Sequence, residues 1–216
     1  MKTVVLATNN AHKVSEISNA LAFPGWEFKT LREMGVDSDP VEDADTFLGN
    51  ARIKARAARE ACGGLAALAD DSGIEVDALD GAPGVFSSRF AGEDATDQDN
   101  NDKLIRDLEG VPDEKRTGRF VCTLVFIDED GTETTARGTV EGRIGHEPQG
   151  DGGFGYDPLF WPDVFEGACT LAEVPQARKN EVSHRGNALR MLRAKLEQAH
   201  GYDAGQGPGT ASGEAE

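Results

Sequence analysis

Apolar and polar positions along this chain switch repeatedly between a short run and a helical period. Val4, Val5 and Leu6 form an apolar run within 2–7, the pattern of a first buried strand. Thr8-Asn9-Asn10 is a polar turn, after which Val14, Ile17 and Leu21 recur at helical spacing until Pro24-Gly25 stops them. Residues 27–31 read as a second strand, and the acidic stretch 37–45, which contains Pro40, reads as a loop. Over 46–61 Phe47, Ala51, Ala55 and Ala58 fall on one face of an alanine-rich helix, ended by Gly63-Gly64. Leu65 to Leu68 is a short apolar run, so a buried strand is expected to end at Ala69-Asp70-Asp71-Ser72-Gly73, with a further strand over 74–76.

The second half continues the alternation. Residues 81–92, rich in Gly and Pro, read as an ordered surface loop, and 96–108 as a helix with Leu104, Ile105 and Leu108 on its apolar side. Two strand patterns, 119–127 and 132–144, flank Asp128-Glu129-Asp130-Gly131, which predicts a hairpin. Gly150, Gly152, Gly153 and Gly155 mark a second special loop over 149–155, and Leu189, Leu192 and Leu196 place a closing helix over 183–199. The pattern is that of an α/β protein whose folded domain is 1–200. Residues 201–216, made of Gly, Ser, Ala and acids without periodicity, read as a disordered acidic tail.

At 216 residues the chain is long enough to bury one sizeable core. It has no run of about 18 apolar residues, so no membrane span is expected, and its first apolar run is too short for a signal peptide. Cys62, Cys122 and Cys169 are odd in number and form no CxxC pair, which fits reduced thiols in a cytoplasmic protein. Against 39 Asp and Glu stand 22 Lys and Arg, a net charge of −17. That charge repels nucleic acid and anionic membranes, and neither is an expected partner. The acids are spread along the chain and only eight of the basic residues are lysine, which points to a halophilic cytoplasm.

Four segments carry candidate chemistry. Asp70 and Asp71, at the carboxyl end of a strand, suit a hard cation such as Mg²⁺, although Asp, Ser and Gly are also ordinary turn residues. Glu42, in the acidic loop, can complete a carboxylate cluster. Thr8, Asn9, Asn10 and Lys13 surround a helix N-terminus, a place for an anion; Lys13 opposes the helix dipole there, so a bound phosphate explains it better than helix stability does. Without such an anion the segment is a capped helix with a solvated lysine. Gly152-Gly153-Phe154-Gly155-Tyr156-Asp157-Pro158 lets the backbone approach a flat ligand on which Phe154 stacks, with Asp157 either accepting from a ring N–H or holding the loop. Lys179, Ser183, His184 and Arg185 gather donors for a base carbonyl or a phosphate.

Taken in order, Thr8-Asn9-Asn10…Lys13, Glu42…Thr46-Phe47…Asn50-Ala51, Ala69-Asp70-Asp71-Ser72-Gly73, Gly81-Ala82-Pro83-Gly84, Ser87-Ser88-Arg89-Phe90-Ala91-Gly92, the Gly152–Pro158 segment and Ser183-His184-Arg185-Gly186 resemble the inosine triphosphate pyrophosphatase family, over about residues 2–198. The chain departs from the family pattern at Gly49, where Glu usually precedes Asn-Ala, and at Ala44, where Gly is usual. The resemblance implies a long curved mixed sheet flanked by helices, in two lobes with the active-site cleft between them. It implies Mg²⁺-dependent hydrolysis of ITP, dITP and XTP to the monophosphate and pyrophosphate, by a homodimer. In that reading Glu42, Asp70 and Asp71 hold the metal and Asp71 is the general base. Thr8, Asn9, Asn10, Lys13 and Ser72 bind the triphosphate. Phe154, Gly155, Tyr156 and Asp157 form the base loop, and Lys179, His184 and Arg185 read the 6-oxo group. A non-catalytic nucleotide sensor and a pyrophosphatase for modified pyrimidine nucleotides are the alternatives.

Overall fold

The computed structural model describes residues 1–200, so the expected tail lies outside the described residues. Six strands, β1 (Lys2–Leu6), β2 (Trp26–Thr30), β3 (Ala66–Val76), β4 (Thr117–Ile127), β5 (Glu133–Ile144) and β6 (Phe160–Pro162), form one sheet in the order β2-β1-β3-β4-β5-β6. Among the described residues five α-helices flank it: α1 (Ala11–Ala20), α2 (Phe47–Ala61), α3 (Asp97–Asp107), α4 (Gln176–Val182) and α5 (His184–His200). β1 runs parallel to β2 and β3, whereas every pairing from β3 to β6 is antiparallel. The expected mixed sheet flanked by helices is present. The short elements β6 and α4 are additions that the apolar pattern did not reveal.

Alternation along β3 builds two faces. Ala66 and Leu68 join Ile17 of α1 and Ala188, Leu192 and Leu196 of α5 in one core, while Ala67 and Ala69 meet the alanine stripe of α2 on the other face. Small side chains on α2 let that helix lie close to the sheet; Ala51, Ala55 and Ala58 are wholly buried. A separate apolar cluster joins Ile74 and Val76, farther along β3, to Leu104 of α3, Leu108 just after it, and Val140, Tyr156 and Phe160. The acidic motif lies on β3 between these cores.

The strand does not end at that motif. β3 continues for 11 residues because β4 pairs with it from Ala67↔Ile127 to Val76↔Gly118. Its parallel partner is what stops: β1 and β3 pair only as far as Leu6↔Leu68. The acids therefore sit on a continuing strand just past the carboxyl end of β1, where a crevice opens in the parallel part of the sheet.

α5 approaches the sheet at Gly138 of β5. A Cβ there would lie 2.3 Å from both Ala188 N and His184 O, so only glycine lets the helix that carries His184 and Arg185 sit this low. Gly138→Ala is expected to cost about 1–3 kcal/mol by overpacking. Urea unfolding of the two proteins checks this, and equal midpoints would mean that α5 lifts off the sheet without resistance.

Candidate active site

The site starts at the N-terminus of α1. Asn10 caps the helix by accepting from His12 N at 3.0 Å and Lys13 N at 3.3 Å, and Thr8 Oγ1 accepts from Asn10 N at 3.2 Å. Lys13 reaches across to β3, where its Nζ lies 3.0 Å from Asp70 Oδ2. Ser72 Oγ donates to the same carboxylate at 3.2 Å, and Arg185 Nη2 stands at 3.5 Å. Arg185 Nη1 also bonds Glu16 Oε2 at 2.9 Å. Burial alone would raise the Asp70 carboxyl, but Lys13 and then Arg185 outweigh it and hold the group far below the ordinary carboxylate range. Asp70 is an ionised tie between α1, β3 and α5.

Asp71 faces the other way, as the two-residue period of a strand requires. Its partners come from the α2 side: Lys54 Nζ lies 3.2 Å from Asp71 Oδ1 and 2.8 Å from Glu42 Oε2. The expected cluster of Glu42, Asp70 and Asp71 is thus corrected to a pair, Glu42 with Asp71, and no group of three metal-ligating side chains occurs among the described residues. Burial raises the Asp71 carboxyl, Lys54 opposes that, and Glu42 adds to it. Asp71 Oδ2 is buried without a hydrogen-bond partner. Such an oxygen beside a second carboxylate fits Mg²⁺, which takes one or two carboxylates and completes its shell with water and substrate phosphate.

Lys54 escaped the sequence reading. The available signal was its place four residues after Asn50 on one face of α2. Asn50 Oδ1 accepts from Ala44 N at 3.0 Å and ties the Glu42 loop to that helix. The two departures from the family pattern fit one another: a Cβ on Gly49 would lie 2.5 Å from Ala44 Cβ, so the methyl of Ala44 fills the space that Gly49 leaves open.

A cavity of about 190 Å³ forms the other end of the cleft, lined by Phe120, Phe154, Tyr156, Asp157, His184 and Arg185 together with Lys13 and Ser72. Phe154 is 64% exposed, with Lys179 Nζ 4.7 Å from its ring centroid. Asp157 is buried, accepts from Phe154 N at 2.9 Å and pairs with Lys179, so it holds the loop and occupies the lysine. Tyr156 donates to Ser87 O at 2.8 Å and serves as a buried wall. His184 stacks on Phe120 with centroids 5.1 Å apart. Burial, then the cations Arg185 and Lys179, push its imidazole down to about 3, so it is neutral near pH 7. Its Nδ1 and Arg185 Nε are buried without partners. Lys13 and Ser72 also line a second cavity of about 520 Å³ with Glu42, Lys54, Asp71 and Arg89, so the two cavities adjoin. Thr8 and Asn9 border Glu42 and Lys54 from a neighbouring hollow.

An α/β sheet whose crevice joins a carboxylate-and-lysine end to an aromatic-walled end defines a nucleotide-site architecture. The chain belongs to the Ham1 family, whose model matches residues 4–195. It is 50% identical over 202 residues to a dITP/XTP pyrophosphatase of Photobacterium profundum, covering 92% of this chain and all of that one. It is 48% identical over 194 residues to the dITP/XTP pyrophosphatase of Escherichia coli O157:H7, covering 89% and 96%. Among solved structures, a HAM1 protein from Coxiella burnetii superposes with a TM-score of 0.84 at 40% identity, over 92% of this chain and all of that one. The nucleoside-triphosphatase / dITP/XTP pyrophosphatase from Mycobacterium abscessus gives 0.76 at 38%, over 88% and 98%.

The depressed His184 pKa has a stability consequence. The folded protein leaves this imidazole unprotonated down to about pH 3, whereas the unfolded chain protonates it near 6.5. Unfolding therefore takes up a proton between those values, and stability falls as pH drops through the window, by about 1.4 kcal/mol per pH unit from this group. His184→Gln removes that contribution. Unfolding midpoints at several pH values below 6.5 check it: equal pH slopes in the two proteins would rule out a buried neutral His184.

Proposed function

We propose that the protein hydrolyses non-standard purine nucleoside triphosphates, ITP, dITP and XTP, to the monophosphate and pyrophosphate, and so cleanses the nucleotide pool. The single observation that carries this is the two-ended cleft at β3, in a chain half identical to named dITP/XTP pyrophosphatases over nearly its whole length. The triphosphate lies against the Thr8–Lys13 turn and Ser72, where helix N–H groups and a lysine face it. The base enters the cavity beside Phe154, with His184 and Arg185 toward its 6-oxo group. A buried donor there is left unpaired by the 6-amino group of adenine, which disfavours ATP.

Asp71 is the general base: burial raises its carboxyl, which makes it a better proton acceptor, and its buried Oδ2 has no hydrogen-bond partner of its own. Lys54 and Lys13 stand where negative charge develops on the leaving pyrophosphate. Glu42 and Asp71 are the residues that would hold Mg²⁺, which when bound would neutralise phosphate charge. Asp70 supports the site by fixing Lys13 and Arg185.

Three further features complete the reading. The family resemblance supports a homodimer. Free Cys62, Cys122 and Cys169, and the absence of any helix long and apolar enough to cross a membrane among the described residues, agree with a cytoplasmic protein. The net charge of −17 supports a halophilic setting.

Asp71→Asn is expected to lower kcat for ITP by far more than tenfold, a barrier increase well above about 1.4 kcal/mol, while the fold persists. Pyrophosphate release with ITP, XTP, ATP and a modified pyrimidine triphosphate tests both substrate class and base; a variant within tenfold of the parent kcat would remove Asp71 from the base role.

Salt provides an independent test. Raising KCl from about 0.1 M to molar levels shortens the Debye length from about 10 Å to about 3 Å. Self-repulsion is then screened, so the thermal midpoint rises and kcat/KM for the anionic substrate holds. A midpoint that stays flat or falls up to about 2 M KCl would remove the halophilic reading.

A further inference from the structure

We propose that Asp97 and Asn101 of α3 act as positioning residues that clamp Gly155, fix the Phe154 loop, and thereby set affinity for the base. The proposal rests on the functional reading above. Phe154 is mostly exposed, so its ring has little packing to hold it. Its position depends on the backbone on either side. Asp157 accepts from Phe154 N, and the next residue is gripped at both backbone polar groups: the Gly155 N–H donates to Asp97 Oδ2 at 2.7 Å, and its carbonyl accepts from Asn101 Nδ2 at 2.9 Å. Gly155 has φ +59°, a left-handed conformation that aims those groups at the helix.

α3 is anchored independently. Leu104 and Leu108 sit in the second core, and Thr96 with Asp99 forms a capping box at its start. Between the two clamp residues, Asn100 grips the opposite wall of the cavity, accepting from Ala91 N at 2.8 Å and donating to Ser88 O at 3.1 Å. One rigid helix thus holds both walls, and the spacing between them is fixed by positions 97, 100 and 101. None of these contacts reaches Glu42, Asp71 or Lys54, so the clamp acts on base binding and leaves the phosphate end alone.

The test uses Asp97→Ala with Asn101→Ala, the conservative Asp97→Asn, and Asp99→Ala, which breaks the capping box without touching Gly155. In the double variant KM for ITP rises about tenfold, as loss of one exposed and one part-buried hydrogen bond predicts, while kcat and inhibition by pyrophosphate hold. Asp97→Asn, which keeps an acceptor oxygen, stays near the parent. Amide exchange over 150–157, read without substrate, speeds up in the double variant but not in Asp99→Ala. Unchanged exchange, or a KM shift reproduced by Asp99→Ala, would overturn the clamp. Absent ITP turnover by the parent protein would instead refute the proposed function, and the exchange measurement would still decide the clamp.

Discussion

The buried carboxylate of Asp70 is the constraint on which the site depends. A lone ionised group there would be prohibitive, so the chain surrounds it with Lys13 from α1, Arg185 from α5 and the neighbouring Ser72 hydroxyl. Those partners are separated by most of the sequence, and the carboxylate draws them to one point. Removing one of them would leave charge uncompensated in the interior, so the geometry of the cleft and the integrity of the fold are linked at this residue.

Strand alternation then divides labour between adjacent acids. Asp70 faces the α1 and α5 side and is saturated with donors. Asp71 faces α2, shares one lysine with Glu42 and retains a free oxygen. Neighbours in sequence thus differ in opposite directions from an ordinary carboxyl, one held strongly ionised and the other raised. Pairs of titratable groups whose environments push them apart are where acid and base roles are assigned.

The periodic parts of the fold were legible: β1, α1, the alanine stripe of α2 and the β4–β5 hairpin all follow from spacing and turn residues. The end of β3 was not, because polar residues in a strand read as a turn until its partner is known, and the partner β4 lies some fifty residues downstream. Placement of Asp70 in a metal cluster failed for the same reason: it needs the face on which each residue sits, which depends on the strand continuing. The Phe154 loop was legible as a special backbone, but the pairing of Asp157 with Lys179 was not, since nothing in local pattern brings those positions together. Lys54 was hidden because a lysine on a surface-like helix reads as solvated until the acids above it are placed.

The charge arrangement of the cleft bears on how an acidic protein holds a polyanion. Two ion-pair groups flank the cleft, Lys13 and Arg185 with Glu16 and Asp70 on one side of β3 and Lys54 with Glu42 and Asp71 on the other, so three cations face four carboxylates. A triphosphate gains no net attraction from such a group, and the −17 of the whole chain opposes its approach when unscreened. Two things change that balance. Salt removes the long-range part, because at molar ionic strength the screening length falls to about 3 Å. A divalent cation held by Glu42 and Asp71, as proposed above, would offset the local part by neutralising the two carboxylates that Lys54 now bridges. On that proposal, binding of the anion would be coupled to binding of the cation, and the carboxylates that make the cleft unattractive to phosphate would be the groups that make it attractive once the cation is held.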